Sequence, residues 1–195
     1  MGNSEATRRR ILEAATEEFA ERGIAGARVE RIAAASRANK AQLYAYFGNK
    51  EQLFSAVLED QLHGIVDTVP IDGEDLPGYA VRLYDDYLAH PLLVKLAVWT
   101  RLERAPYGTL GPEIGGLDDP KFEAIAAAQA RGLVDPTLPP AHLFSLVIAL
   151  SMTWSPVSTT IAASPEDDAA EHEERRRLIR LAVERLVRPG TPSPA

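Results

Sequence analysis

The 195-residue sequence contains no cysteine. Disulfide cross-links and thiolate metal sites are therefore excluded, and the chain suits a reducing, cytoplasmic compartment. Long apolar runs are missing too. The opening residues, MGNSEATRRR, lack the apolar segment of a secretory signal. The most apolar stretch, Ala141–Trp154, is interrupted by His142, Ser145, Ser151 and Thr153. It falls short of the roughly 20 apolar residues that span a bilayer. A soluble protein that engages no membrane is expected.

Catalytic signatures are also lacking. The histidines, at 63, 90, 142 and 172, show no metal-ligand spacing. Asp60-x-x-His63 matches half of a carboxylate-bundle di-metal pattern, without a second copy. No nucleophile elbow, P-loop or dinucleotide fingerprint occurs. No enzyme, metal or cofactor is expected. Strand alternation and hairpin signals are absent, while Ala, Leu, Glu and Arg dominate outside the loops. The fold class is read as all-α.

The formal net charge of −7 argues at first against a nucleic-acid partner. Its distribution reverses that. Residues 1–50 carry nine Lys/Arg against six Glu, a net +3, whereas the remainder carries twelve against twenty-two, a net −10. A basic head on an acidic body docks on phosphate through the head alone.

Apolar spacing predicts a first helix over Glu5–Arg22, with Ser4 or Thr7 as cap. Ile11, Ala15 and Phe19 face inward, and Gly23 stands in the left-handed position that ends a helix. A second helix spans Val29–Ala35 and buries Ile32. Asn39 caps a third, and a fourth runs from Asn49, with Gln52 three residues on, to about Thr68. Further helices are expected over Leu76–Ala89, Pro91–Arg104, from Asp119-Pro120 to near Gly132, Pro140–Trp154 with a short continuation to Ala163, and within 168–188. Residues 105–120 are glycine- and proline-rich, and PGTPSPA closes the chain as a disordered tail.

Residues 28–50, RVERIAAASRANKAQLYAYFGNK, carry the most information. The helix from Lys40 to Phe47 turns Leu43 and Phe47 inward together and leaves cationic, amide and phenolic groups outside. One face anchors in a small core while the other carries donors into a DNA groove, the design of a helix-turn-helix recognition helix. Lys40 suits a phosphate or guanine, Gln42 a bidentate contact to adenine, and Tyr44 and Tyr46 phosphates through their hydroxyls.

From Arg10 to Phe54 the chain resembles the DNA-binding domain of the tetracycline-repressor (TetR) family. The carrying residues are Ile11-Leu12-Glu13-Ala14-Ala15, Phe19-Ala20-Glu21-Arg22-Gly23, Ile32-Ala33, Leu43-Tyr44-x-Tyr46-Phe47 and Asn49-Lys50-Glu51-x-Leu53-Phe54. The resemblance implies DNA contacts at Asn39, Lys40, Gln42, Tyr44, Tyr46 and Lys50. It departs at the opening of the second helix, where Arg28 replaces the usual Thr. It departs again at the turn, where Arg37-Ala38 replaces Gly-Val, and at Ala41, where the family has Gly. An arginine accepts a left-handed turn poorly. Arg28 and Arg37 add two cations, so tighter backbone binding and a steeper salt dependence are expected.

The expected organisation is an N-terminal three-helix head with helix-turn-helix at 1–48, a helical bundle for effector binding and dimerisation at 49–188, and the tail at 189–195. Two small heads on a palindrome give more specificity than one. Helix faces carrying Leu143, Val147 and Leu150, and Leu178, Leu181 and Arg185, are the candidate dimer seam, matching the four-helix bundle that the resemblance implies. Tyr84, Leu96, Trp99, Phe122, Ile125 and Met152 are candidates to line an apolar effector cavity, with His63, His90, Arg101 or His142 orienting the ligand. The loop at 108–116 is a candidate gate. The resemblance implies a small organic effector. The expected function is a sequence-specific, ligand-responsive repressor that binds an operator in double-stranded DNA as a homodimer. A non-specific architectural DNA-binding protein or a helical-bundle enzyme is the alternative.

Overall fold

Apolar residues three and four apart recur along the chain, and in the computed structural model they organise helices. The structure describes residues 2–108, 110 and 119–189. The helices among them are α1 (Gly2–Gly26), α2 (Val29–Ala35), α3 (Lys40–Phe47), α4 (Lys50–Thr68), α5 (Leu76–Ala89), α6 (Pro91–Glu103), α7 (Asp119–Ala130), α8 (Pro140–Ser151) and α9 (Ala169–Val187). No strand occurs among the described residues. None of the described helices is long and apolar enough to cross a membrane.

The chain divides into two compact units. The first comprises Met1–Gly64 with Leu92–Gly115, and the second Ile65–Pro91 with Gly116–Ala195. This differs from the expected division after residue 48. The core of the first unit explains why. Leu53, Phe54, Val57 and Leu58 of α4 and Leu96 of α6 are fully buried in the same cluster as Ile11, Phe19, Ile32 and Leu43. Helices α1–α3 alone bury little apolar surface, and α4 and α6 complete the head.

Local chemistry sets the helix ends. The first helix begins at Gly2, ahead of the expected start, and Gly23 does not end it. Its φ of 70° and ψ of 180° interrupt the helix, which resumes as far as Gly26. That backbone region is open essentially to glycine alone. A Cβ there would also meet the Trp99 ring at 2.8 Å. Asn39 caps α3 as expected and forms a full capping box with Gln42. At α4 the Asn49 side chain accepts the Gln52 N–H at 2.8 Å.

In the second unit α5 packs along α8 and α9, α7 packs on α8, and α8 packs on α9. Tyr79, Ala80, Leu83, Tyr84 and Tyr87 form the buried face of α5. Asp75 caps this helix by accepting the Gly78 N–H at 2.8 Å. The preceding loop passes so close to α7 that a Cβ on Gly73 would lie 2.4 Å from the Ala124 carbonyl oxygen. Helix α8 stops at Ser151, short of the expected Trp154, and no helix continues to Ala163. Pro156 accounts for this, because its ring crowds the carbonyl four residues back and disfavours helical backbone at Ser155. The expected gate at 108–116 and disordered tail at 189–195 lie outside the described residues, apart from positions 108, 110 and 189.

Candidate nucleic-acid interface

The recognition helix is held from beneath. Leu43 and Phe47 are buried, while Lys40, Ala41, Gln42, Tyr44 and Ala45 are exposed. Arg8 lies over the Phe47 ring at 5.3 Å. The loop before α2 is fixed by Glu18, whose carboxylate accepts the Arg28 N–H at 2.9 Å and Arg31 Nε at 2.7 Å. Burial pushes the Glu18 carboxyl up, but the Arg31 and Arg28 hydrogen bonds and the charges of Arg31 and Arg22 outweigh it, and the net direction is down. Glu18 therefore stays ionised and works as a backbone staple.

The residues expected to meet DNA separate into two groups. Arg28, Arg37, Lys40 and Tyr44 are exposed, Tyr44 to 45%. The others already serve the head. Tyr46 is half-buried, and its hydroxyl hydrogen-bonds Ser4 Oγ at 2.9 Å. Lys50 Nζ reaches the Ala27 and Ala25 carbonyls at 3.4 and 3.5 Å. Asn39 Oδ1 accepts the Gln42 N–H at 2.8 Å, and Gln42 Oε1 accepts the Asn39 N–H at 3.1 Å. A bidentate Gln42–adenine contact must share or open that cap.

Sequence reasoning missed Glu30. Its carboxylate pairs with Lys40, the most prominent recognition-helix cation. The Lys40 hydrogen bond holds the Glu30 carboxyl below its ordinary value, and the same bond raises the lysine. The two residues stand ten apart across the α2–α3 turn, a separation to which no single-helix rule applies. The capping box, by contrast, was present as Asn39-x-x-Gln42.

The expected effector residues divide between the units. Leu96 is enclosed in the first unit's core, and Trp99 donates from Nε1 to the Ala20 carbonyl at 3.3 Å. Glu103, one turn on, accepts the Ala25 N–H at 2.8 Å. The kink at Gly23 leaves that N–H for a side chain to satisfy, so α6 is spent on the head. In the second unit Tyr84 and Ile125 are buried and Phe122 and Met152 half-buried. Tyr84 stacks edge-on against Trp154 at 6.4 Å, and Phe122 against Phe144 at 5.7 Å.

None of the expected orienting groups is buried. His63 bonds the Glu59 carbonyl and His90 the Asp86 carboxylate, Arg101 reaches the Ala105 carbonyl, and His142 is exposed. The buried histidine is His172, whose Nδ1 hydrogen-bonds Tyr84 Oη at 2.7 Å. Arg175, also buried, binds Asp167 and Glu171, each at 2.6 Å. Burial raises the Tyr84 phenol, and it pushes that of Tyr87 up to about 12. The Ser155 hydroxyl is buried and has no partner. Among the described residues no group of His, Asp or Glu is arranged for a metal ion.

The seam residues also divide. Leu143 and Val147 are fully buried within the single chain, because α8 turns that face toward α5, α7 and α9. Leu150 and Leu181 are half-buried, and Leu178 and Arg185 exposed. Leu146, on the free side of α8, is 44% exposed.

An anchored α2–turn–α3 pair with donors on its free face is a helix-turn-helix, the framework of a DNA-binding regulator. Comparison with known proteins carries this further. Residues 11–57 match the model of bacterial regulatory proteins of the tetR family, and residues 75–185 that of the tetracyclin repressor-like C-terminal domain. The chain belongs to the TetR family of helix-turn-helix transcriptional regulators and is not an enzyme. It is 42% identical to the HTH-type transcriptional repressor SCO4008 of Streptomyces coelicolor over 157 residues, covering 78% of this chain and 80% of that one. The crystal structure of SCO4942, from the same species, matches with a TM-score of 0.79 and 37% identity, over 96% of this chain and 99% of that one. AibR, solved with isovaleryl coenzyme A and operator DNA, shares the fold at a TM-score of 0.65 and 22% identity, over 94% and 100% of the two chains.

Proposed function

We propose that this regulator is a repressor that binds a palindromic operator in double-stranded DNA as a homodimer, acts in the cytoplasm, and is released by a small organic effector. The observation that carries the reading is the free face of α3. Lys40 and Tyr44 stand exposed on a helix whose opposite face is locked into the head core. Arg28 and Arg37 flank it as further cations. Leu146 and Leu178, with the half-buried Leu150 and Leu181, leave an apolar surface on α8 and α9 for a second copy. Leu143 and Val147 are fully buried within the single chain and are left out of this proposed seam.

For the effector, the second unit supplies Tyr84, Phe122, Ile125 and Met152 as apolar walls. Trp154, His172 and the unpartnered Ser155 hydroxyl supply polar edges. A buried hydroxyl without a partner calls for an explanation, and a ligand group is one. Effector binding favours a head spacing that mismatches two half-sites about 34–36 Å apart. To do so the effector must prefer the non-binding state; equal affinity for both would shift nothing.

The test is a titration of the full-length protein against duplexes it selects from a random pool, with a scrambled duplex as competitor. Binding to one palindrome, two chains per duplex, that resists the competitor is expected. Lys40→Ala and Tyr44→Ala should each weaken it about tenfold or more without moving the melting midpoint. Equal binding to selected and scrambled DNA would replace the repressor with an architectural protein.

A further inference from the structure

Among the described residues φ is positive at Gly23, Gly48, Gly108, Gly132 and Arg37. Glycine occupies this half of backbone space without a clash. Arg37, at φ 53°, carries a Cβ into it. The conformation belongs to the turn itself. The Arg37 N–H donates to the Ala34 carbonyl at 3.2 Å and the Ala38 N–H to the Ala33 carbonyl at 3.0 Å. These are the two bonds of a Schellman motif closing α2, with Arg37 at the position glycine ordinarily fills. A glycine would make both bonds without strain.

The arginine gains nothing inside the protein in return. Its side chain is exposed, and among the described residues it makes no hydrogen bond or ion pair. Several other head cations have internal partners: Arg9 pairs with Glu13, Arg22 and Arg31 with Glu18, and Lys40 with Glu30. A strained residue that serves no internal contact points to a function outside the fold. Arg37 lies two residues before the Asn39 cap, beside the N-terminus of α3, where the positive end of the helix also favours phosphate.

We propose that Arg37 is a DNA-backbone contact at which the head gives up fold stability for affinity. A phosphate oxygen accepts from its guanidinium in the complex, and no base is read. This rests on the DNA-binding reading above and adds to it a residue whose contributions to folding and binding have opposite signs.

The experiment compares wild type with Arg37→Gly, Arg37→Asn and Arg37→Lys. Thermal unfolding is recorded for each, with anisotropy titrations across a salt series on a duplex selected by wild type and on a scrambled one. Glycine and asparagine relieve the left-handed backbone, so the midpoint should rise by about 2–4 °C. Binding to both duplexes should weaken roughly threefold to tenfold, and the slope of log affinity against log salt should fall by about one per head. Lysine keeps charge and strain, so its slope and midpoint should stay near wild type. Glycine and asparagine variants that keep the wild-type slope, or that melt lower, would overturn the proposal while leaving the DNA-binding reading intact. Wild type that binds neither duplex would overturn both.

Discussion

The two units spend their buried volume differently. Among its described residues the first is apolar within, and its charges lie at the surface except that of Glu18, which is buried and staples a loop. The second carries Arg175, His172 and Asp86 below the surface, the His172 ring against that of Tyr84. An apolar core loses stability in proportion to what is removed. A buried polar network fails more abruptly, because each lost partner strands another. The arrangement suits the two tasks proposed above. A DNA-reading head needs a rigid base with cations free to exchange internal partners for phosphate, whereas polar groups inside an aromatic interior can discriminate a small molecule.

The sharpest break of this comparison is Leu96→Ala. If α6 belongs to the head core, the cavity should cost about 2–5 kcal/mol of head stability and operator affinity should fall with it. Trp99→Ala should act the same way more weakly, since the ring is half-buried. Chemical denaturation followed by DNA titration checks both. Variants of normal stability with an altered effector response would return these residues to an effector cavity.

Arg175→Met keeps the bulk of the side chain but removes the shared partner of Asp167 and Glu171. A loss of about 2–3 kcal/mol confined to the second unit is expected. Hydrogen exchange resolved by peptide would show faster opening of α5 and α9 with α1–α3 unchanged. Uniform loosening across the chain would mean that the units do not unfold separately.

Acidification probes Glu18, the buried carboxylate among the described residues of the head. The folded Glu18 lies below its ordinary value of 4.5, so the stability it contributes is complete above that value. It is lost as the pH falls through the lower, folded value. The melting midpoint should therefore drop below about pH 4.5, and Glu18→Gln should start lower and flatten this part of the profile. An unchanged profile in the variant would assign the acid sensitivity to other carboxylates, such as Asp167, which its Arg175 hydrogen bond also holds low.

The smallest effect is expected at Glu30. Exposed ion pairs contribute little to folding, so Glu30→Gln should leave the midpoint unchanged. It frees Lys40, however, and binding should tighten roughly twofold to fivefold at low salt, with the gain fading as salt rises. Weaker binding in this variant would show that Glu30 orients Lys40 for DNA.

Much of this molecule was legible in its sequence because much of it is local. Leu43 and Phe47 share a face by spacing alone, and Asn39 with Gln42 announces the cap of α3. Pro91, Gly23 and the 28–50 pattern placed the helices to within a few residues. The strain at Arg37 was foreseeable from residue type, since a turn that wants glycine received a side chain. What the sequence left open was the assignment of helix faces to partners. Leu96 and Trp99 have the apolar character of cavity residues, and Leu143 and Val147 that of a seam, yet all four pack within their own unit. Periodicity shows that a face is buried without showing what buries it.

The sequence by itself determined the helical class, the recognition helix and the basic head, because propensity, capping and charge act over a few residues. Tertiary structure alone decided that α6 completes the head, that Glu30 holds Lys40, and that His172 meets Tyr84. Those pairings join residues ten to nearly ninety positions apart, and only the packing of helix against helix selects among the faces that could have met.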